Sequence, residues 1–240
     1  MQLTVVIPVL NEEKKILPDI DAAISFFGEN GIAGEVIVVD DGSSDRTAEV
    51  VNRRALRGTG DVRLISYSPN RGKGFAVKEG VLNARGEIIM FIDSGNCIPY
   101  EDILPAIRMV AENSADISKA SRFLKESSIM GPRPASRRFL SWMFRRFVRL
   151  YAGLPGYITD SQCGLSIYRS EVAGALYGEL VSEGFMFDVE IIVRALSNGY
   201  RIVEFPVRWT PDPDSRLRPL AVFGNICRDL SRIRRMMNSW

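Results

Sequence analysis

The chain has 240 residues, 46% hydrophobic and 25% charged, with a formal net charge of +2. That balance supports a sizeable core and excludes disorder, collagen-like repeats and a disulfide scaffold. Its three cysteines (Cys97, Cys163, Cys227) form no CxxC pair and there is no histidine, so a reduced, cytosolic-facing protein is expected, and Ser-His, Cys-His and His-metal mechanisms are excluded. Any catalysis must use carboxylates, Lys or Arg, hydroxyls, or a metal held by oxygen.

The start, MQLTVVIPVLNEE, enters a strand-like run without a basic leader and is unlike a secretory signal. No stretch approaches the roughly 20 apolar residues of a spanning helix, so the chain is expected not to cross a bilayer, while free to lie against one. In chain order, β-branched runs at Leu3–Pro8, Glu35–Val39, Val62–Tyr67, Glu87–Ile92 and Asp116–Ala120 predict strands. Helical stretches at Lys14–Phe27, Asp45–Arg54, Gly74–Ala84 and Glu101–Glu112 alternate with them as βαβ units. Several of the strands are continuously apolar, which predicts cover on both faces. The expected fold is α/β: an open, mostly parallel, doubly wound sheet with helices on both faces and ligands at the carboxyl ends of its strands. No Pro- or Ser-rich linker, repeat or low-complexity tract interrupts it.

The second half differs in charge. From Ser121 to Leu150 eight Lys or Arg residues stand against Glu126 alone, a local +7 that leaves −5 elsewhere, and Arg216 to Trp240 adds six arginines against Asp229. Within Pro134–Gly153, Phe139, Leu140, Met143, Phe144, Phe147, Val148 and Tyr151 recur at helical spacing among Arg137, Arg138, Arg145, Arg146 and Arg149. Val222, Phe223, Ile226, Leu230, Ile233 and Met237 make a second such stripe. These basic amphipathic helices read either as surface helices packed on the sheet or as contacts to an anionic membrane surface. Nucleic acid is not an expected partner, since no recognition motif accompanies the basic residues.

The strands run into PVLNEE, DDGSSD, SPNRGKG and DSGN. Asp40 and Asp41 can bind base amides and ribose hydroxyls at a ligand edge, or simply form a turn and helix cap. NRGKG, Asn70–Gly74, offers backbone N–H groups and two cations to a phosphate, although its spacing is not that of a P-loop and a plain turn serves as well. Asp93 in FIDSGN is able to hold a divalent cation through oxygen, or to cap a turn. Cys163 lacks a base and reads as a small buried side chain.

Taken together, PVLNEE, VVDDGSSDRT, NRGKGFAVKEG and FIDSGN resemble the nucleotide-sugar half of inverting GT-A glycosyltransferases related to polyprenyl-phosphate sugar synthases. Ser121-Arg122, DSQCGL (Asp160–Leu165), FMFDVEI (Phe185–Ile191) and PVRW (Pro206–Trp209) extend the likeness, most closely to the dolichyl-phosphate glucosyltransferase branch, over nearly the whole chain. The resemblance implies a GT-A transferase domain over 1–215, with a nucleotide-sugar half at 1–120 and an acceptor half at 121–215, followed by a basic helix at 216–240. It implies that Pro8, Leu10, Glu12, Val39, Asp40, Asp41, Lys73, Asp93 and Ser94 meet the nucleotide sugar. Arg122, Arg137, Ser141 and Gln162 would meet the acceptor, and Asp93, Arg122, Asp160 and Asp188 would form the catalytic set. Members usually carry Asp-x-Asp after strand four; this chain has Asp93-Ser94-Gly95. The expected Mg2+ or Mn2+ would therefore rest on Asp93 and Asn96, with affinity weakened by the lost charge.

The expected activity is inverting transfer of a hexose, with UDP-glucose favoured, onto a polyprenyl phosphate at the cytosolic face of a membrane. Two alternatives are transfer to a hydroxyl, with Asp188 or Asp160 as base, and nucleotide-sugar binding without turnover.

Overall fold

The computed structural model describes residues 2–58, 60–131, 135–211 and 219–237, with the side chains of 135–137, 219–223, 225 and 237 outside the described set. The elements, in chain order, are β1 (Gln2–Val9), α1 (Ile16–Asn30), β2 (Ala33–Asp40), α2 (Thr47–Ala55), β3 (Asp61–Ser66), α3 (Lys73–Leu82) and β4 (Ile88–Ile92). A 3-10 turn at Tyr100–Asp102 leads into α4 (Leu104–Ala111), then β5 (Ile117–Ser121), β6 (Ser128–Ile129), α5 (Ala135–Tyr151) and β7 (Leu165–Arg169). The chain continues through α6 (Ser170–Gly178), α7 (Phe187–Ser197), β8 (Ile202–Pro206), β9 (Arg208–Trp209) and α8 (Pro219–Met237).

Seven strands form one sheet in the order β3-β2-β1-β4-β7-β5-β8, and β6 and β9 make a separate two-stranded pair. The β1, β2, β3 and β4 ladders are parallel, as is β5 with β8. Between β4 and β5 lies β7, antiparallel to both. The five predicted strands are all present, and the sheet is mostly parallel with helices on both faces, as the alternation of elements requires. The sequence reading names no strand at LSIYR: five residues directly after a polar loop give too short a run for periodicity to register.

The β1 strand shows why the sheet is two-sided. Leu3, Val5, Ile7 and Val9 point to one face, where Ile16 and Ile20 of α1, Val51 of α2 and Ile107 of α4 cover them. Val6 points to the other, beneath Ala76, Val77 and Val81 of α3. Strand residues alternate sides, so an uninterrupted apolar run is stable only with helices on both. The α1 helix stops where Gly31 takes φ 61°, and the Ile32 N–H reaches back to the Phe27 carbonyl, the closure that a left-handed residue after a helix allows.

The basic helix α5 behaves differently from the apolar stripe that marks it in the sequence. Val148 is buried, and Phe144 and Tyr151 pack against the core, but Phe139, Leu140, Trp142, Met143, Phe147 and Leu150 are all exposed, Leu150 to 70%. Among the described residues no helix is long and apolar enough to cross a membrane.

Gly80 and Gly174 make a matched test of packing. A methyl group at Gly80 on α3 would overlap the Val6 side chain, whereas one at Gly174 on α6 meets nothing. Gly80→Ala is expected to lower unfolding stability by about 1–3 kcal/mol. Gly174→Ala should be neutral or stabilising by up to about 1 kcal/mol. Urea denaturation midpoints check this, and equal midpoints for the two variants would contradict the close α3–β1 contact.

Candidate active site

Because β7 runs against its neighbours, its amino end lies at the same edge as the carboxyl ends of β4 and β5. Ile92 pairs with Leu165, and the Asp93 N–H donates to the Gly164 carbonyl at 2.8 Å. The segment Asp160–Gly164 is thereby laid against Asp93. The contact is so close that a methyl group at Gly164 would overlap the Asp93 carboxylate. On its other side Asp93 meets Lys73, the first residue of α3, with Nζ 2.6 Å from Oδ1 and side chains 23% and 39% exposed. Both side chains are partly exposed although Asp93 Oδ1 itself is buried, and a partly exposed pair adds little to stability.

A second pair is built from the end of β5. Arg122 Nε and Nη2 donate to Asp160 Oδ2 and Oδ1 at 2.7 and 3.0 Å, a bidentate clasp, and Nη2 also reaches the Gln162 carbonyl. Burial opposes the Asp160 charge, but the Arg122 guanidinium more than offsets it and holds the carboxyl below its ordinary range. Asp160 is fixed in turn by Glu204 of β8, whose carboxylate accepts the Thr159 and Asp160 backbone N–H groups at 2.9 Å. Asp93 lies against Gly164 while Arg122 holds Asp160 and the Gln162 carbonyl, so one five-residue loop meets both predicted residues.

A third pair lies beneath these. Lys119 of β5 and Asp188 in the first turn of α7 are both buried, Nζ to Oδ1 at 3.0 Å. Cys163 sits among the groups, and burial pushes its thiol up to about 12, so it is no nucleophile.

The first-half residues join loops at the same edge. Asp40 accepts the Ser43 N–H and the Ser66 hydroxyl, and Asp41 accepts Asn70 Nδ2 and the Arg71 and Gly72 N–H groups. Asn11, at φ 55°, accepts the Ser44 and Asp45 N–H groups and so ties the β1–α1 loop to the β2–α2 loop. The Glu12 N–H donates to Thr47 Oγ1. Leu10 is exposed, Ser94 half-buried and Pro8 buried. The Val39 side chain belongs to the core under α3. NRGKG is not an open phosphate cradle: the Phe75 N–H at the start of α3 is taken by the Glu183 carbonyl. Side chains at Gly72 and Gly74 would overlap the 182–184 backbone. These glycines admit a loop from the second half.

Of the second-half residues expected to meet an acceptor, Gln162 donates to the Phe185 carbonyl. Ser141 is half-buried on α5 with no hydrogen bond to these pairs among the described residues, and the Arg137 side chain lies outside those residues.

Sequence reasoning missed Lys119, Glu204, Gly164 and Asp19. Lys119 was the most legible, a lysine in the middle of a buried strand where an unpartnered charge cannot rest. Asp19 of α1 accepts the Gly95 and Asn96 N–H groups at 2.9 Å and so holds the loop after Asp93, where Gly95 and Asn96 both take positive φ.

That loop decides what can hold a divalent ion. Among the described residues no group of three Asp, Glu, Cys or His side chains is placed for a metal. One carboxylate, Asp93, with the exposed Asn96 nearby in sequence, fits an ion such as Mg2+ that keeps waters and takes most remaining ligands from substrate phosphates. The residues fit a metal that arrives with a diphosphate.

The profile described as Glycosyl transferase family 2 matches residues 4–176. The chain is 31% identical over 242 residues to the dolichyl-phosphate beta-glucosyltransferase of Dictyostelium discoideum, covering 97% of this chain and 73% of that protein. The Homo sapiens protein of the same name is 31% identical over 252 residues, covering 100% and 77%. Among solved structures, glucosyl-3-phosphoglycerate synthase from Mycobacterium tuberculosis, in complex with Mn2+, UDP and glucosyl-3-phosphoglycerate, is similar with a TM-score of 0.64 at 20% identity, covering 98% and 79%. At that identity the likeness carries the fold.

Asp19 sets a pH dependence. Burial, against the pull of the Gly95 and Asn96 N–H groups, pushes its carboxyl up to about 6 from 3.8. The folded state then binds the proton more tightly than the unfolded one, so this contribution to stability is full below about pH 4 and lost as pH rises through about 6. Relative to Asp19→Asn, the wild type should lose on the order of 2 kcal/mol across that window. Chemical denaturation of both proteins between pH 4 and 7 checks it, and a flat difference counts against the assignment.

Proposed function

The chain belongs to glycosyl transferase family 2, as a nucleotide-sugar-dependent hexosyltransferase, and we propose that it moves glucose from UDP-glucose, with inversion, onto a polyprenyl phosphate at the cytosolic surface of a membrane. The observation that carries this reading is the meeting of Asp93 with Gly164. It sets a carboxylate–ammonium pair from the first half beside the Asp160–Arg122 clasp of the second. The donor belongs to the side of Pro8, Leu10, Glu12, Asp40, Asp41, Lys73 and Ser94, and the acceptor to the side of Arg122, Arg137, Ser141 and Gln162. The names of the two relatives favour glucose and dolichyl phosphate.

In-line attack at the anomeric carbon builds positive charge on the sugar and negative charge on the departing diphosphate, and the site must stabilise both. Lys73 lies 2.6 Å from Asp93 and serves the departing diphosphate as a fixed cation. Asp93, with Asn96, would hold Mg2+ or Mn2+, and such an ion supplies charge neutralisation to the diphosphate. Arg122 keeps Nη1 beyond its clasp on Asp160 and orients the acceptor phosphate. A phosphate is already ionised near neutral pH, so no general base is required. Asp160 is held by the half-buried Arg122 and Asp188 by the buried Lys119, which suits them to fixing charge better than to accepting a proton from a hydroxyl.

The exposed aromatic and aliphatic side chains of α5, interleaved with Arg138, Arg146 and Arg149, favour the membrane-surface reading over a packed surface helix. A lipid-linked acceptor is reached from that surface.

The test offers purified full-length protein a panel of labelled nucleotide sugars with polyprenyl phosphate in detergent, with and without Mg2+ or Mn2+. A lipid-extractable, acid-labile product from UDP-glucose is expected; label only in water-soluble glycosides would overturn the acceptor assignment. Asp93→Asn should cut transfer about 100-fold or more with an unchanged melting temperature. Gly164→Ala, which pushes the Asp93 carboxylate aside, should cost roughly tenfold to 100-fold. A Gly164→Ala variant with wild-type kcat/KM would mean that the position of Asp93 is immaterial.

A further inference from the structure

Lys119 lies at 2% exposure on β5, and its ammonium donates to Asp188 Oδ1 at 3.0 Å and Ser166 Oγ at 3.2 Å, with the Cys163 carbonyl at 3.5 Å. It shares a strand face with Ile117, which packs in the apolar cluster under α7. A leucine or methionine would therefore suit position 119 for packing alone. Buried ion pairs generally return less than the desolvation they cost, so fold stability gives little reason for this one. Its location gives a better one. The groups facing Asp188 are Lys119 from β5, Lys73 from α3, Asp93 after β4, Tyr168 from β7 and Tyr177 from α6.

We propose that Lys119 is a positioning residue of the transfer site: by occupying Asp188 it leaves Lys73 to Asp93 and the donor diphosphate. The inference rests on the transferase reading above. Lys73 Nζ lies 2.6 Å from Asp93 Oδ1 and 5.9 Å from the ring centroid of Phe187, the residue before Asp188, so this partly exposed ammonium stands between the two carboxylates. The buried Lys119 satisfies the inner carboxylate. Without its charge, Lys73 is the next cation available to Asp188 and is drawn inward from Asp93, or Asp188 takes a proton. Burial already raises the Asp188 carboxyl, with Lys119 the largest opposing influence, so removing that cation raises it further.

Lys119→Gln keeps a hydrogen-bond donor and removes the charge. With UDP-glucose and polyprenyl phosphate, kcat/KM is expected to fall about tenfold at neutral pH, carried by a higher KM for the donor while the acceptor KM holds. The acid limb of the pH profile should move up by about one unit. Loss of folding alone would lower active fraction without moving either the KM or the pH midpoint. A folded Lys119→Gln protein with wild-type donor KM and pH profile overturns the proposal. Calorimetry with UDP, run in parallel, separates the two readings. A wild type that binds UDP but transfers no sugar retires the transferase reading, and the proposal then stands or falls on whether Lys119→Gln weakens UDP binding with a raised acid midpoint. Should that variant not fold, 15N resonances of the lysine ammonium groups in the wild type decide. A Lys119 signal that shifts on UDP addition supports the proposal, and one indifferent to UDP overturns it.

Discussion

The active edge depends on one topological constraint, the reversed strand β7 set between β4 and β5. Had that strand run parallel, residues 160–164 would lie at the opposite end of the sheet from Asp93. Reversal brings the loop before β7 to the end of β4, and the Asp93 N–H to Gly164 carbonyl bond fixes the register. The absence of a side chain at 164 then lets the carboxylate lie against the loop backbone. The juxtaposition of Asp93 with the 160–164 loop follows from strand direction and one missing methyl group.

Around that junction the charges come in pairs: Lys73 with Asp93, Arg122 with Asp160, Lys119 with Asp188. The three differ in depth, and depth sets their chemistry. The outer pair joins two partly exposed side chains. The middle pair is a bidentate clasp whose loop backbone is held by Glu204, so the carboxylate and the guanidinium keep one relative orientation. The inner pair is sealed, where low dielectric makes an uncompensated charge costly and a compensated one rigid. A site of this kind has its charges in place before substrate arrives, which is what stabilising a charge-separated transition state requires.

Much of this was legible in the sequence. Short β-branched runs of five or six residues alternating with helical stretches identify β1 to β5 and α1 to α4, because period and burial leave few other arrangements. The residues that gather at the edge were readable as motifs only when the four strand-end segments were taken together, since Asp, Gly and Asn at a single strand end also serve as turns and caps. What eluded the reading was of two kinds. β7 is a short strand whose direction no local pattern encodes, since pairing between distant segments decides it. Glu204, Asp19 and Lys119 act through other residues, and their signal is a charge at an inward position of an apolar element, visible only once the face is known. The α5 stripe misleads in the opposite sense: helical periodicity marks a face that wants to leave water, but it cannot say whether protein or lipid receives it.

The same reversed strand has a consequence for how the molecule could be divided. Residues up to 120 contain β4 and β5, yet the partner that lies between them comes from beyond residue 160. Cutting the chain between them would bare the Ile88–Ile92 backbone, five consecutive buried apolar residues along an open hydrogen-bonding edge, in a form prone to pair with other chains. The first half of the chain is therefore no detachable cassette. In a lineage that exchanged acceptors, change would have to come by substitution within the second half, because a swapped segment would have to restore the middle of the sheet before it could bring a new specificity.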